Sequence, residues 1–500
     1  MRKGLFSLLL LSLSLDLALA QTLPMPKREM RGAWIQAVNG QFQGMSRAEM
    51  QQNLTNQLNV LAECGVNTIM FQVRVEGDAL YESRIEPWSR YLTGQQGLAP
   101  SPCWDPLAWM VEQCHRRGME LHAWINPYRA KTKGTTELAS THPYCLHPER
   151  FFEYDGLYIF DPGVPENRDY ICRIAADIVS RYDVDGLHID DYFYPYPVAG
   201  LPIPDDGTFA MYGGRFANRD DWRRNNVNLL IKQLHETLRT VKPWVKFGVS
   251  PFGIYHNADG TNIPGSQTRG LQNYDQLYAD VLLWVKNGWI DYNVPQLYWQ
   301  IGHTTADYAT LVRWWAAHAS ERPLIIGQDV ERTVKYADVN NPGINQMPAK
   351  FLLQRTTPGV AGSCLWYSAA VVRNEGGYAS VLKKYYHRTL ALQPSMPFIT
   401  DNAPRKVKKM KVKDMPDGRY LFWQAGKSRD WTDTPTAYAV YRFPKGAPQN
   451  LDDSSALQGI TRFPLWKLPE GETGIQYYYI VTALNRIQNE SAGAKKKVKF

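Results

Sequence analysis

After residue 20, no run in this 500-residue chain is long and apolar enough to cross a bilayer, which excludes a polytopic membrane protein. Cysteine is scarce. The six (Cys64, Cys103, Cys114, Cys145, Cys172, Cys364) never form a C-x-x-C pair, so neither a zinc site nor a dithiol redox centre is indicated. Spacing does not choose between free thiols and one or two bridges. No Gly-rich phosphate turn follows any candidate strand, and no H-x-H or H-E-x-x-H is present. Ser250 lacks the G-x-S-x-G of an esterase elbow. Low-complexity segments and internal repeats are absent. The formal net charge is +8, but 18 Lys+Arg against 10 Asp+Glu between Asp401 and Phe500 account for all of it. The larger part of the chain therefore has no charge excess with which to hold a nucleic acid.

What is present is a globular composition, 44% hydrophobic and 21% charged. Residues 1–20 read as a secretory signal: Arg2 and Lys3, an apolar run from Leu5 to Leu15, then Ala18-Leu19-Ala20 as a cleavage site. The sequence thus predicts an exported protein, periplasmic or extracellular, soluble after cleavage.

From Arg31 to about Leu390 short β-branched or apolar runs alternate with amphipathic stretches. Eight strands are predicted, at 32–38, 67–74, 120–128, 186–192, 246–252, 292–298, 323–328 and 362–367. Helical patterns lie between them, and Gly65, Gly118 and Gly288 stand where helix stops belong. Eight such units predict a (β/α)8 TIM-like barrel over residues 27–392 rather than a doubly wound sheet. The longest loop is expected after the fourth strand, from Tyr194 to about Asn225. Beyond the prolines near 393–404, some seven short strands predict a small all-β sandwich of the fibronectin-III or immunoglobulin kind over 398–500.

In such a barrel, chemistry gathers at the C-terminal ends of the strands. The residues delivered there are Arg31 and Trp34; Gln72, Arg74 and Asp78; Trp124, Asn126 and Arg129; His188, Asp190, Asp191, Tyr192 and Tyr194; Ser250; Gln296, Tyr298 and Trp299; Asp329; and Trp366. Aromatics interleaved with fixed hydrogen-bonding groups suit a sugar, whose faces stack and whose hydroxyls need partners. Asp185-Gly-Leu-His188-Ile-Asp190-Asp191-Tyr192 is the sharpest local signal. A carboxylate in so apolar a run is costly unless it is paired or used. Glycoside hydrolysis needs two carboxyl groups. Asp190 is the first candidate, as nucleophile or base. Asp191, or Asp329 across the mouth, is the candidate for the second, and Glu76 and Asp78 follow the second strand. His122 and His188 on neighbouring strands read as hydrogen-bonded structural residues rather than metal ligands, and no metal or cofactor is called for.

Six segments together resemble the glycosyl hydrolase-like family 10 of bacterial envelope proteins. They are Arg31-Gly-Ala-Trp34; Phe71-Gln-Val-Arg74 with Gly77-Asp-Ala-Leu-Tyr81; His122-Ala-Trp-Ile-Asn-Pro-Tyr-Arg129; Asp185 to Pro195; Gly248-Val-Ser-Pro-Phe-Gly253; and Pro295-Gln-Leu-Tyr-Trp299. The likeness covers about residues 28–390. It implies a TIM-like barrel that hydrolyses glycosidic bonds, with peptidoglycan glycan strands, including strands stripped of stem peptides, as the implied substrate. The position of Asp190 also resembles the nucleophile of α-amylase-type barrels, but their fifth-strand Glu is missing here. Two other readings stay open: a glycan-binding or scaffold protein without turnover, and a secreted polysaccharidase for nutrient glycans. The basic C-terminal region is expected either to touch an anionic cell-wall or envelope surface or to serve as a packing module.

Overall fold

A computed structural model describes residues 25–470 and 474–500. The expected leader and its cleavage site lie outside the described residues. Eight parallel strands close into a barrel: β1 (Met30–Ile35), β2 (Thr68–Arg74), β3 (Glu120–Ile125), β4 (Gly186–Ile189), β5 (Lys246–Val249), β6 (Tyr292–Asn293), β7 (Leu324–Asp329) and β8 (Val360–Trp366), with β1 pairing both β2 and β8. All eight predicted strands form, because strands covered on both faces read as near-continuous apolar runs. Most end earlier than expected, since each chain turns out of the sheet where its polar residues begin.

The surrounding helices carry local start and stop signals. Helix α1 (Arg47–Glu63) opens on a Ser46/Glu49 capping box, and α2 (Pro106–Arg116) opens on Asp105 with Pro at its first turn. Gly65, Gly118 and Gly288 all have positive φ. Helices α3 (Pro165–Arg181) and α4 (Arg219–Val241) pack side by side behind β4. One expectation fails. The longest connection follows β3, not β4, and it contains an antiparallel sheet of three short strands, Arg129–Lys131, Phe151–Tyr154 and Leu157–Phe160.

The narrow barrel interior is filled by large polar rings opposite glycines. A Cβ on Gly248 would lie 1.9 Å from the Tyr292 ring, and one on Gly186 would lie 2.6 Å from His122. Tyr292 Oη stands 2.7 Å from His122 Nδ1 and 3.1 Å from His188 Nδ1, while His122 Nε2 reaches Glu120 at 3.1 Å. Lys246 ion-pairs with Glu120 at 2.5 Å. Both histidines are thus spent on an axial hydrogen-bonded column. Among the described residues no cluster of potential metal ligands is found.

The C-terminal region is all-β. A three-stranded antiparallel sheet is formed by β9 (Lys408–Met415), β10 (Gly418–Gln424) and β13 (Leu465–Lys467). A four-stranded one is formed by β11 (Ala437–Pro444), β12 (Leu457–Thr461), β14 (Gln476–Leu484) and β15 (Ala494–Lys499). This region closes the N-terminal end of the barrel. Ile487 and Met396 pack among Met30, Met70, Tyr292 and Ile325, Gln488 donates to Glu120 at 2.8 Å, and Arg462 pairs with Asp185 at 3.1 Å. Among the described residues no helix is long and apolar enough to cross a membrane. All six cysteines are free thiols, four of them buried.

Candidate active site

A cavity of about 570 Å³ opens at the C-terminal end of the strands. Its aromatic wall comes from three strands and the loop after β6: Trp34, Trp124 and Tyr298 gather around Trp366, the last stacked on Tyr298 with centroids 6.3 Å apart. Trp34 is set from below, because its Nε1 donates to His188 Nε2 at 3.2 Å. Ser250 meets the same nitrogen at 2.9 Å. The axial column therefore orients the cavity without entering it. Burial and the charge of neighbouring His122 hold His188 well below its ordinary pKa, so it is a neutral acceptor here.

Asp190 and Asp191 both line the cavity. In a continuing strand they would face opposite sides. Strand β4 ends at Ile189, and the turn that follows, with Phe193 N donating to Asp191 O at 3.0 Å, brings both carboxyls to one space. Trp124 Nε1 donates to Asp190 Oδ2 at 3.1 Å, and Tyr196 Oη donates to Asp191. Burial, then the charge of Asp191, pushes the Asp190 carboxyl up to about 8, against the opposing pull of Arg129. Burial also raises Asp191, while Tyr196 and Gln296 hold it down. Arg129 lies over the Tyr192 ring, its guanidinium carbon 3.6 Å from the centroid.

Of the residues expected at the mouth, Trp34, Gln72, Trp124, Arg129, Asp190, Asp191, Tyr192, Ser250, Gln296, Tyr298 and Trp366 line this cavity. The others do not. Arg31 sits at the opposite end of β1, paired with Glu29 at 2.7 Å and donating to Thr389 O. Arg74 is wholly buried on Glu86. Asp78 is buried beneath the β2 loop, accepting from Glu76 N and Gln96 Nε2, and burial raises its carboxyl to about 6. Asn126 lies under the floor, accepting from Trp124. His188 is on the axis. Tyr194 turns its hydroxyl to Asn226, and Trp299 packs on Phe252. Asp329 caps the short helix Val330–Lys335 by accepting from Arg332 N at 2.8 Å and does not line the cavity.

Sequence reasoning missed Gln43, Arg90, Tyr91, Thr132 and Tyr196. Arg90 is held by Glu76, which Thr132 and Thr135 also satisfy, so Glu76 supports the wall from behind. Tyr196 had a readable signal, because it extends the Tyr-Phe-Tyr-Pro run after Asp191. Arg90 and Thr132 arrive on loops from distant segments and have none.

The model of the family described as "Glycosyl hydrolase-like 10" matches residues 29–344. The chain is 37% identical over 483 residues to glycosyl hydrolase YngK of Bacillus subtilis, covering 94% of each chain. It is also 37% identical over 365 residues to glycosyl hydrolase DigH of Escherichia coli K12, covering 67% of this chain and 82% of that one. Among solved structures it is similar to an α-L-fucosidase isoenzyme from Paenibacillus thiaminolyticus, with a TM-score of 0.45, 12% identity and coverage of 72% of this chain and 49% of that one.

Proposed function

The chain belongs to the glycosyl hydrolase-like 10 family and is a glycoside hydrolase, and from that premise we propose that it is exported and cleaves the glycan strands of a bacterial cell wall, including strands without stem peptides. The observation that carries the proposal is the pair of buried carboxyls, Asp190 and Asp191, lining an aromatic cavity. A sugar ring lies against Trp366 and Tyr298. Asp190, its carboxyl pushed up to about 8, holds a proton and gives it to the glycosidic oxygen. The leaving chain departs as an alcohol. Asp191, as carboxylate, faces the positive charge that grows at the anomeric carbon. Water adds to that carbon, and Asp190 regains its proton. The role of Asp190 departs from the sequence expectation of a nucleophile or base, because burial beside Asp191 makes it hard to ionise. Steadying the developing charge is one of the two roles expected of Asp191.

Digestion of purified denuded glycan strands, beside intact peptidoglycan and plant and host polysaccharides, tests the substrate. Soluble oligosaccharides from the denuded strands are expected. Products from the nutrient polysaccharides alone would make it a nutritional enzyme, and affinity without any product would make it a binding protein.

Envelope contact is proposed for the edge strands β9 and β15, which lie side by side and expose Lys408, Lys411, Lys413, Lys495, Lys497 and Lys499. Their lysines also discourage edge-to-edge pairing. Co-sedimentation with purified sacculi at low salt is expected to fall several-fold when Lys495, Lys497 and Lys499 become Glu. Unchanged sedimentation would leave edge protection as their whole role.

A further inference from the structure

Beside the catalytic cavity lies a second one of about 340 Å³, within the roughly 300–1,000 Å³ range of ligand sites. The two share Arg129 and Tyr192 as a common wall. The second cavity is built by the unexpected sheet after β3 and the loop after β4: Tyr128, Tyr154 and Ile159 on one side, Tyr194 and Tyr196 on the other. Tyr154 ties the two parts together, donating to Leu201 O at 3.1 Å and accepting from Val198 N at 2.9 Å. Arg129 lines both cavities; it bonds Tyr192 and feels the charges of Asp190 and Asp191, but makes no ion pair within 4 Å among the described residues. A guanidinium that feels the active-site carboxyls but is bridged to neither keeps donors with which to hold a ligand's carboxylate at the shared wall. Tyrosine faces suit the apolar side of a sugar ring, and a guanidinium suits a carboxylate, which it grips with two parallel bonds.

We propose that the second cavity is a further saccharide subsite next to the point of cleavage, and that Arg129 at its edge receives the carboxylate of an acidic sugar. The proposal rests on the reading of the first cavity as the place of glycosidic cleavage. In a denuded wall glycan the carboxylate is the lactyl group of the muramic residue, free once the stem peptide is gone. In other acidic glycans it is a uronate.

Binding is measured with Asp190→Asn, and cleavage with the wild type, on denuded strands, the same strands after carboxyl reduction, and a polyuronate. The acidic strands are expected to bind roughly 10- to 100-fold more tightly than the reduced ones, the range of a hydrogen bond to a charged group. Arg129→Gln is expected to erase that preference, and Arg129→Lys to restore part of it. Leu157→Trp, which fills the second cavity from its rim, should weaken long strands and spare the shortest cleavable ones. Equal affinity for acidic and reduced strands, with cleavage intact, overturns the acidic subsite and leaves the wall-glycan reading standing. Binding and cleavage of the polyuronate alone would do the opposite. No affinity for any of the three would remove both. Thermal melts of each variant separate a folding defect from a lost contact.

Discussion

Asp190→Asn is expected to lower kcat on the true substrate by on the order of 10²–10⁴-fold, the range of a lost general acid, while the protein stays folded. The amide keeps the shape of the carboxyl and still accepts from Trp124 Nε1, which bonds Asp190 at 3.1 Å, but it has no proton to give. In the wild type, the alkaline limb of kcat/KM should fall near pH 8, where the raised carboxyl ionises. The same shift has a stability side. An aspartate carboxyl ionises at about 3.8 in the unfolded chain and at about 8 in the fold. Its contribution is therefore fully present below 3.8 and is lost as pH rises to about 8. Asn cannot ionise. The melting temperatures of wild type and variant should agree near pH 4 and diverge in favour of the variant toward pH 8. Such a gain in stability with loss of turnover is expected of a group held in an unfavourable state for its chemistry. Wild-type-like turnover in the variant would remove Asp190 from the mechanism.

Arg74→Ala is expected to destabilise the barrel by about 3–5 kcal/mol, the cost of leaving a buried charge without its partner. Arg74 Nη2 and Nε meet the two Glu86 oxygens at 2.7 and 2.8 Å, and its Nη1 donates to Asn126 O and Pro127 O. Both side chains are fully buried. The guanidinium thus pins the start of the β3 loop, from which Arg129 reaches the cavity. Urea denaturation followed by tryptophan emission measures the loss. Arg74→Met with Glu86→Gln should recover part of it, because no charge is then stranded. A variant as stable as wild type but with a much higher KM would return Arg74 to the substrate-binding set.

Arg74 also shows where reading along a strand fails. Alternation puts Gln72 and Arg74 on one face, yet only Gln72 lines the cavity. The register of β2 against β3 slips between these two residues. Arg31 fails for another reason. It stands three residues before Trp34, so alternation puts it on the outer face of β1, near the strand's N-terminal end. Asp329 fails because helix begins at the next residue, so its carboxyl is taken by a backbone N–H.

The sequence by itself determined the eight strands and the order in which they deliver polar residues, because strands buried on both faces and glycine-ended helices leave local patterns. It also determined the Asp-rich end of β4, where apolar neighbours make a carboxyl conspicuous. Tertiary structure decided which of those residues share a space. It turned the chain after Ile189 so that two successive carboxyls meet. It brought Arg90 and Thr132 in on separate loops, and it raised a small sheet after β3 to form a second cavity. Those outcomes depend on register, on strand ends and on contacts between segments far apart in the chain, none of which has a period.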